Sequence, residues 1–127
     1  MDCVLAVDIG GTKVAAGRVD AEGLLIARAV RPTPTGSDPE RMWAAVADAV
    51  AEVRSGDEVG CGVGSGGPMS RGGDAVSPLN IPAWRDFPLK ARLAQTVGGP
   101  VWVDNDAKAL ALGEGWRGAA RGVSSFV

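Results

Sequence analysis

A short segment near the N-terminus combines residue types that could bind a phosphate group and a metal ion. Asp8 ends an apolar run and is followed by Gly10, Gly11, Thr12 and Lys13. Adjacent glycines can adopt positive φ and aim successive backbone N–H groups at one point, which makes an anion site. Thr12 and Lys13 add a hydroxyl and a positive charge, and the Asp8 carboxylate could hold Mg²⁺ through water. The alternative is a tight hairpin with an incidental acid. The segment is not a Walker-type loop, which has different spacing and leads into a helix.

A second acidic segment, Asp104-Asn105-Asp106, lies between a predicted strand and a predicted helix. Asn105 could cap that helix and place Asp106 in its first turn, where the helix dipole favours an ionised carboxylate. An ionised Asp106 could accept the proton of a substrate hydroxyl as it attacks a phosphoryl group. The alternative is that all three residues only cap the helix. Because sheet topology can bring two strand ends to one edge, this segment and the glycine turn could share one site.

Two further segments suit rigid binding loops. Residues 66–68 read Gly-Gly-Pro, and residues 77–84 read Ser-Pro-Leu-Asn-Ile-Pro-Ala-Trp. Asn80, in the second, could offer a donor and an acceptor to sugar hydroxyls. On chemistry alone, a purely structural loop is an equal alternative for both segments.

The composition limits the function classes. The 127-residue chain has 46% hydrophobic and 22% charged residues, as expected for one globular domain, and its formal net charge is −2. With no Lys/Arg cluster, no electrostatic footprint favours nucleic acid or an anionic membrane. The apolar run from Cys3 stops at Asp8, which is too short for a signal peptide or a membrane span. We therefore expect a cytoplasmic protein with no nucleic-acid and no membrane partner.

Histidine is absent from the chain. This excludes Ser/His, Cys/His and His-based zinc chemistry within these residues, so acid–base chemistry must come from carboxylates or lysines. The two cysteines, Cys3 and Cys61, lie in apolar runs and are expected to be buried thiols rather than a disulfide or metal pair.

Hydrophobic patterns predict the elements that must position these residues. A helix is expected to begin after Asp38, with Pro39 in its first turn, and to end before Gly56. Residues 59–66 alternate between side chains and glycine, which predicts a strand with one bare face. The remaining predicted elements are strands over 3–7, 14–19, 24–30, 101–103 and 123–127, and helices over 88–97 and 107–116. From this order we expect one α/β domain that is cut at its C-terminal edge.

The motifs together resemble those of the ROK family of sugar kinases. Residues 8–13 resemble its phosphate loop, 62–69 its glycine-proline sugar loop, 80–84 its Asn-x-Pro-x-Trp segment and 103–107 its catalytic segment. The resemblance covers nearly the whole chain in the same order. It implies the actin-like/hexokinase ATPase fold, which is ribonuclease H-like, with a mixed sheet and helices. Residues 1–127 would be its N-terminal lobe, with the C-terminal lobe absent.

The resemblance also implies a function and a set of site residues. The expected activity is that of an ATP-dependent hexose kinase, glucokinase-like, which phosphorylates the sugar 6-hydroxyl with Asp106 as the base. Gly67, Asn80, Asn105 and Asp106 would contact the sugar, while residues 10–13 would face the ATP phosphates. The substrates and cofactor would be a hexose, ATP and Mg²⁺. Zinc would belong only to the absent lobe, and the full-length form would be a homodimer.

Some residues depart from the family's common pattern. Residues 66–68 are Gly-Gly-Pro instead of Pro-Gly-Pro, and 104–108 are Asp-Asn-Asp-Ala-Lys instead of Glu-Asn-Asp-Ala-Asn. These changes keep the base but leave the preferred sugar open. Two alternative functions remain: a non-catalytic fragment that binds sugar or phosphate, and a metal-dependent nuclease of ribonuclease H-like fold. The nuclease would use Asp8, Asp104 and Asp106 as a two-metal site, but the chain lacks a basic surface.

Overall fold

The structure of the protein, a computed structural model, describes residues 3–20, 22–66, 68–70 and 74–104. The helix predicted over 107–116 and the strand predicted over 123–127 lie outside these residues. All other predicted elements fall within them, and each is present with boundaries shifted by at most a few residues.

Five strands form a mixed sheet. They are β1 (Cys3–Ile9), β2 (Lys13–Asp20), β3 (Leu25–Pro32), β4 (Glu58–Ser65) and β5 (Val101–Asp104), and they lie in the order β3-β2-β1-β4-β5. The first three strands are an antiparallel meander, whereas β4 and β5 run parallel to β1. The carboxyl ends of β1, β4 and β5 therefore meet at one edge of the sheet, as the sequence predicted for the two acidic segments.

Two helices cover one face of this sheet. Helix α1 (Pro39–Val53) packs on β2 and β3, and α2 (Leu89–Val97) packs on β4 and β5. The predicted cap of α1 is confirmed, since the Asp38 carboxylate accepts a hydrogen bond of 3.0 Å from the backbone N–H of Glu40. Its buried face consists of Met42, Val46, Ala49, Val50 and Val53, which recur at helical spacing.

The core consists of the inner face of the sheet, the two helices and an aromatic group from the segment before α2. Trp84 is fully buried and stacks on Phe87 with ring centroids 4.2 Å apart. The prediction for the cysteines is confirmed, because Cys3 and Cys61 are both buried free thiols. Burial raises the pKa of Cys61 to about 12, so this thiol stays protonated at neutral pH.

No helix in the part of the chain that the structure covers is both long enough and apolar enough to span a membrane.

Candidate active site

The glycine turn is the tip of the β1–β2 hairpin. Ile9 faces Val14 across the hairpin, and the backbone N–H of Gly10 donates to the carbonyl oxygen of Lys13 at 3.0 Å. Gly11 and Thr12 form the tip. The turn joins two strands, which agrees with the expectation that it is not a Walker-type loop.

The sequence suggested that the adjacent glycines adopt positive φ, and this prediction is wrong. Neither Gly10 nor Gly11 has a φ in the left-handed region. Their positions are instead limited by close contacts. A Cβ atom on Gly11 would lie 2.6 Å from the Cβ of Asn80, and one on Gly10 would lie 3.2 Å from the carbonyl oxygen of Lys13. Gly11 is therefore a glycine because the loop carrying Asn80 packs directly against its backbone.

The turn and the loop that carries Asn80 (residues 77–84, here called the Asn80 loop) together line a cleft of about 250 Å³. One wall comes from the end of β1 and the turn, and the other comes from the end of β4 and the loop after it. The lining residues are Ile9, Gly10, Gly11, Gly66, Pro78, Leu79, Asn80 and Ile81. The structure thus brings the predicted phosphate residues Gly10 and Gly11 to the predicted sugar residue Asn80.

The Asn80 loop is held by buried aromatic side chains and by one guanidinium group. Besides stacking on Phe87, Trp84 donates from Nε1 to the carbonyl oxygen of Pro39 at 3.2 Å, which ties the loop to the start of α1. The Arg85 guanidinium donates to the carbonyl oxygens of Pro78 and Ile81, each at 3.1 Å. Asn80 lies between these two carbonyls, so its backbone is fixed while its side chain remains exposed.

Asp8 lies at the end of β1 and is half-buried. Burial raises the pKa of its carboxyl group, and the charge of Lys13 partly offsets this rise. No described residue donates a hydrogen bond to this carboxyl group. Among the ion pairs of the described residues, none involves the Lys13 ammonium. The carboxylate of Asp8 and the ammonium of Lys13 thus flank the turn, and neither has a hydrogen-bond or ion-pair partner among the described residues.

Asp104 occupies the same row of the sheet as Asp8. Both residues register with Gly64 of β4, Asp8 from one side and Asp104 from the other. Because neighbouring strands lie about 4.8 Å apart, the two Cα positions are separated by about 10 Å. The sequence prediction that the two acidic segments reach one edge is confirmed for Asp104. Gly67, Asn105 and Asp106 lie outside the described residues, so their site roles remain predictions.

Within the described ranges, no group of three or more histidine, cysteine, aspartate or glutamate side chains is placed to hold a metal ion. Asp8, the residue predicted to hold Mg²⁺, lies beside the turn. Of the other two acids that a nuclease would use, Asp104 lies in β5 and Asp106 lies outside the described residues.

Sequence reasoning missed two residues that shape the site. Thr33, just after β3, donates hydrogen bonds to the carbonyl oxygens of Gly10 and Thr12. Arg85 holds the Asn80 loop as described above. Neither residue has a local sequence signal for this role, because both act on backbone carbonyls that the tertiary fold brings to them.

Comparison with known proteins identifies the family. The ROK family model matches residues 4–127. The glucokinase of Streptomyces coelicolor is 43% identical over 123 residues, which cover 96% of this chain and 38% of that protein. The glucokinase of Thermotoga maritima is 37% identical, with 98% of this chain and 40% of that protein covered.

Solved structures agree with this assignment. A ROK family glucokinase from Streptomyces griseus, in complex with glucose and AMPPNP, superposes with a TM-score of 0.73 at 41% identity. The match covers 94% of this chain and 38% of that one. The ROK hexokinase of Thermus thermophilus superposes with a TM-score of 0.68 at 40% identity, over 94% of this chain and 40% of that one. The expected α/β fold of the actin-like/hexokinase type is therefore confirmed. The chain spans about two-fifths of the length of these relatives, and it belongs to the ROK family.

Proposed function

We propose that this chain is the N-terminal lobe of an ATP-dependent hexose kinase, glucokinase-like, which transfers the γ-phosphoryl group to the sugar 6-hydroxyl. The observation that carries the proposal is the single cleft shared by Gly10 and Gly11 of the turn and by Asn80. A phosphoryl transfer enzyme must hold donor and acceptor side by side, because most of its catalysis is positioning and charge stabilisation. The glucokinase relatives support the choice of substrate class.

The turn provides the phosphate side of the cleft. In the described part of the chain, no group accepts a hydrogen bond from the N–H of Gly11 or Thr12, so both donors are available to phosphate oxygens. The exposed Lys13 ammonium adds a positive charge beside them. Backbone donors combined with a cation are an effective arrangement for stabilising transferred phosphate oxygens.

The Asn80 loop provides the sugar side. The Asn80 side chain can accept from one sugar hydroxyl and donate to another, and its backbone is already fixed by Arg85. We assign Gly67 and Asn105 to the same sugar site. Asp106 would take the proton of the attacking 6-hydroxyl, and its position two residues beyond Asp104 favours this edge of the sheet.

Asp8 fits a magnesium site. Its half-buried carboxylate has no described hydrogen-bond donor and stands directly before the turn, and oxygen ligands are what this cation prefers. Mg²⁺, when bound, would neutralise charge on the phosphates. Asp8 would hold it through water. We further infer that the complete enzyme is cytoplasmic, in accord with the proposed use of ATP and with the buried free thiols. The proposal that it is a homodimer rests on the family resemblance alone.

A non-catalytic fragment that binds sugar or phosphate would use the same residues, and turnover distinguishes it from the kinase. The test is a fusion in which this chain is followed by the part of the Streptomyces griseus glucokinase that lies beyond the matched segment, here called the two-lobed fusion. We expect it to phosphorylate glucose with ATP in a coupled ADP-release assay. The chain alone should not, since a closed cleft is needed to exclude water.

The base assignment is tested in the same fusion. Asp106→Asn should lower kcat by about 10²–10⁴, with little change in glucose affinity because the amide still reaches the hydroxyl. Asp104→Asn, a similar charge change on the same segment, is the control and should retain most of kcat. Loss of kcat in Asp104→Asn with near-normal kcat in Asp106→Asn would show that the base is misassigned. Metal-dependent cleavage of nucleic acid by the purified chain would instead favour a nuclease.

A further inference from the structure

Thr33 makes two hydrogen bonds to the glycine turn from the start of the loop after β3. Its Oγ1 donates to the carbonyl oxygen of Gly10 at 2.6 Å. Its backbone N–H donates to the carbonyl oxygen of Thr12 at 2.9 Å. The residue is half-buried, and it contacts the turn from the side on which β3 pairs with β2.

These two bonds fix the direction of two N–H groups that Thr33 does not touch. In a trans peptide, the C=O of one residue and the N–H of the next point in opposite directions. With the Gly10 carbonyl directed at Thr33, the N–H of Gly11 must point away from Thr33. The Thr12 carbonyl imposes the same direction on the N–H of Lys13. Thr33 therefore holds two carbonyl dipoles on one side of the turn and directs two donors to the other side.

The side-chain bond acts on a peptide between two glycines. This peptide has no Cβ on either side, so its flanking backbone torsions are intrinsically less restricted than those between other residues. A rotated peptide would present the Gly10 carbonyl oxygen, instead of the Gly11 N–H, to an incoming phosphate. The first arrangement repels an anion and the second attracts it. The Thr33 hydroxyl is the described side chain that holds this peptide.

We propose that Thr33 is a positioning residue of the phosphate turn, which orients the Gly10–Gly11 peptide so that its N–H faces the phosphate. The inference rests on the proposed function, because it assigns Thr33 to the ATP side of that site. It concerns nucleotide binding and not sugar binding, because both hydrogen bonds of Thr33 go to the turn, while Thr33 itself is not among the residues that line the cleft.

The first test is made on the 127-residue chain, with inorganic tripolyphosphate as the probe. Thr33→Val keeps the shape of the side chain but removes the hydroxyl donor, and Thr33→Ser restores that donor. In Thr33→Val, the ¹⁵N resonance of the Gly11 amide should shift, because it reports the hydrogen bond on the carbonyl of Gly10. The dissociation constant for tripolyphosphate should rise about tenfold, as expected for the loss of one net hydrogen bond. Thr33→Ser should behave like the parent in both measurements.

The second test uses steady-state kinetics in the two-lobed fusion. Thr33→Val should raise KM for ATP about tenfold, leave KM for glucose within about twofold and recover with Thr33→Ser. A merely structural role would change both KM values together and lower the melting temperature of the chain. A parent-like Gly11 resonance and parent-like tripolyphosphate affinity in Thr33→Val would overturn the proposal. So would a parent chain that does not bind tripolyphosphate.

The two proposals can fail separately. A fusion that phosphorylates no hexose would contradict the proposed function, while the Gly11 resonance and the tripolyphosphate titration would still decide the role of Thr33. An active fusion in which Thr33→Val has parent-like KM for ATP would contradict the role of Thr33 and leave the kinase function intact.

Discussion

The glycine turn and the Asn80 loop reach the same cleft with different kinds of support. The turn is the tip of a hairpin, and Gly11, Thr12 and Lys13 at its end are exposed. Hydrogen bonds hold this tip, two of them from Thr33. The loop belongs to no long strand or helix, yet Trp84 within it is fully buried. It is held by aromatic stacking and by hydrogen bonds that the Arg85 guanidinium donates to main-chain carbonyl oxygens of the loop.

The difference fits what each region would present to a ligand under the proposed function. The turn would present backbone N–H groups, so these donors cannot also form hydrogen bonds within the turn, and Thr33 contacts the turn from outside. The Asn80 loop would present one side chain, so its backbone can be used for structure. The N–H of Ile81 donates to Pro78, and that of Trp84 donates to Ile81. Under the proposed function, the region that would bind with its main chain is held by a neighbour, whereas the region that would bind with a side chain is held by its own hydrogen bonds.

The largest expected effect is on the loop. Trp84→Ala should lower the free energy of unfolding by about 3–5 kcal/mol, the usual range for removing a large buried aromatic side chain. In the folded protein the Asn80 loop should loosen, while the turn keeps its bonds to Thr33. Urea unfolding measures the first effect, and tripolyphosphate binding should change by less than about twofold. Leu79→Ala is the control, since Leu79 lies on the same loop with 79% of its surface exposed, and it should change stability by less than about 0.5 kcal/mol.

If Trp84→Ala abolished tripolyphosphate binding in chains that remain folded, the two regions would not be supported independently.

A smaller effect is expected beside the turn and depends on pH. Burial raises the pKa of Asp8 above its ordinary value, so the folded chain binds more protons than the unfolded chain as the pH rises past that value. Stability is therefore lost as the pH rises through the folded pKa. Asp8→Asn removes this loss and should unfold at a slightly higher temperature than the parent at pH 7. The difference in melting temperature between variant and parent should disappear below about pH 4, where Asp8 of the parent is protonated in both the folded and the unfolded state.

Melting curves at several pH values check this expectation, and tripolyphosphate titrations with Mg²⁺ check the function of Asp8. The variant should bind the magnesium complex more weakly than the parent. A variant that is less stable than the parent at pH 7, with the gap closing at low pH, would show that the charged carboxylate stabilises the fold.

Local patterns were sufficient to predict the elements that the structure describes, whereas the helix predicted over 107–116 and the strand predicted over 123–127 remain predictions. The apolar run before Asp8 predicted β1, and Asp38 with Pro39 predicted the start of α1, because a buried strand and a helix cap are each encoded within a few neighbouring residues. Alternation with glycine predicted β4. Strand β4 pairs in parallel with β1, and β5 pairs in parallel with β4, which brings Asp104 to the same edge of the sheet as Asp8, as expected.

The contacts between segments were not predictable in the same way. The sequence offered positive φ as the reason for Gly11, but the reason is its contact with Asn80, which the fold creates between distant segments. Thr33 and Arg85 bind backbone carbonyls, and a carbonyl carries no residue type that a sequence motif could reveal. The roles of Asn105 and Asp106 come from the motif alone and remain predictions.

The central claim is that the turn and the Asn80 loop form one site, and substitution of the glycines in this cleft tests it most directly. Gly11→Ala places a Cβ 2.6 Å from the Cβ of Asn80, whereas Gly66→Ala places one 3.7 Å from the Cβ of Pro78, an ordinary contact in the same cleft. The measurement is kcat/KM for glucose phosphorylation by the two-lobed fusion. We predict that Gly11→Ala lowers it by about 10²-fold, as expected when reacting groups are displaced by about 1 Å, and that Gly66→Ala stays within about threefold of the parent. Parent-like activity in Gly11→Ala, or an equal loss in both variants, would contradict the claim.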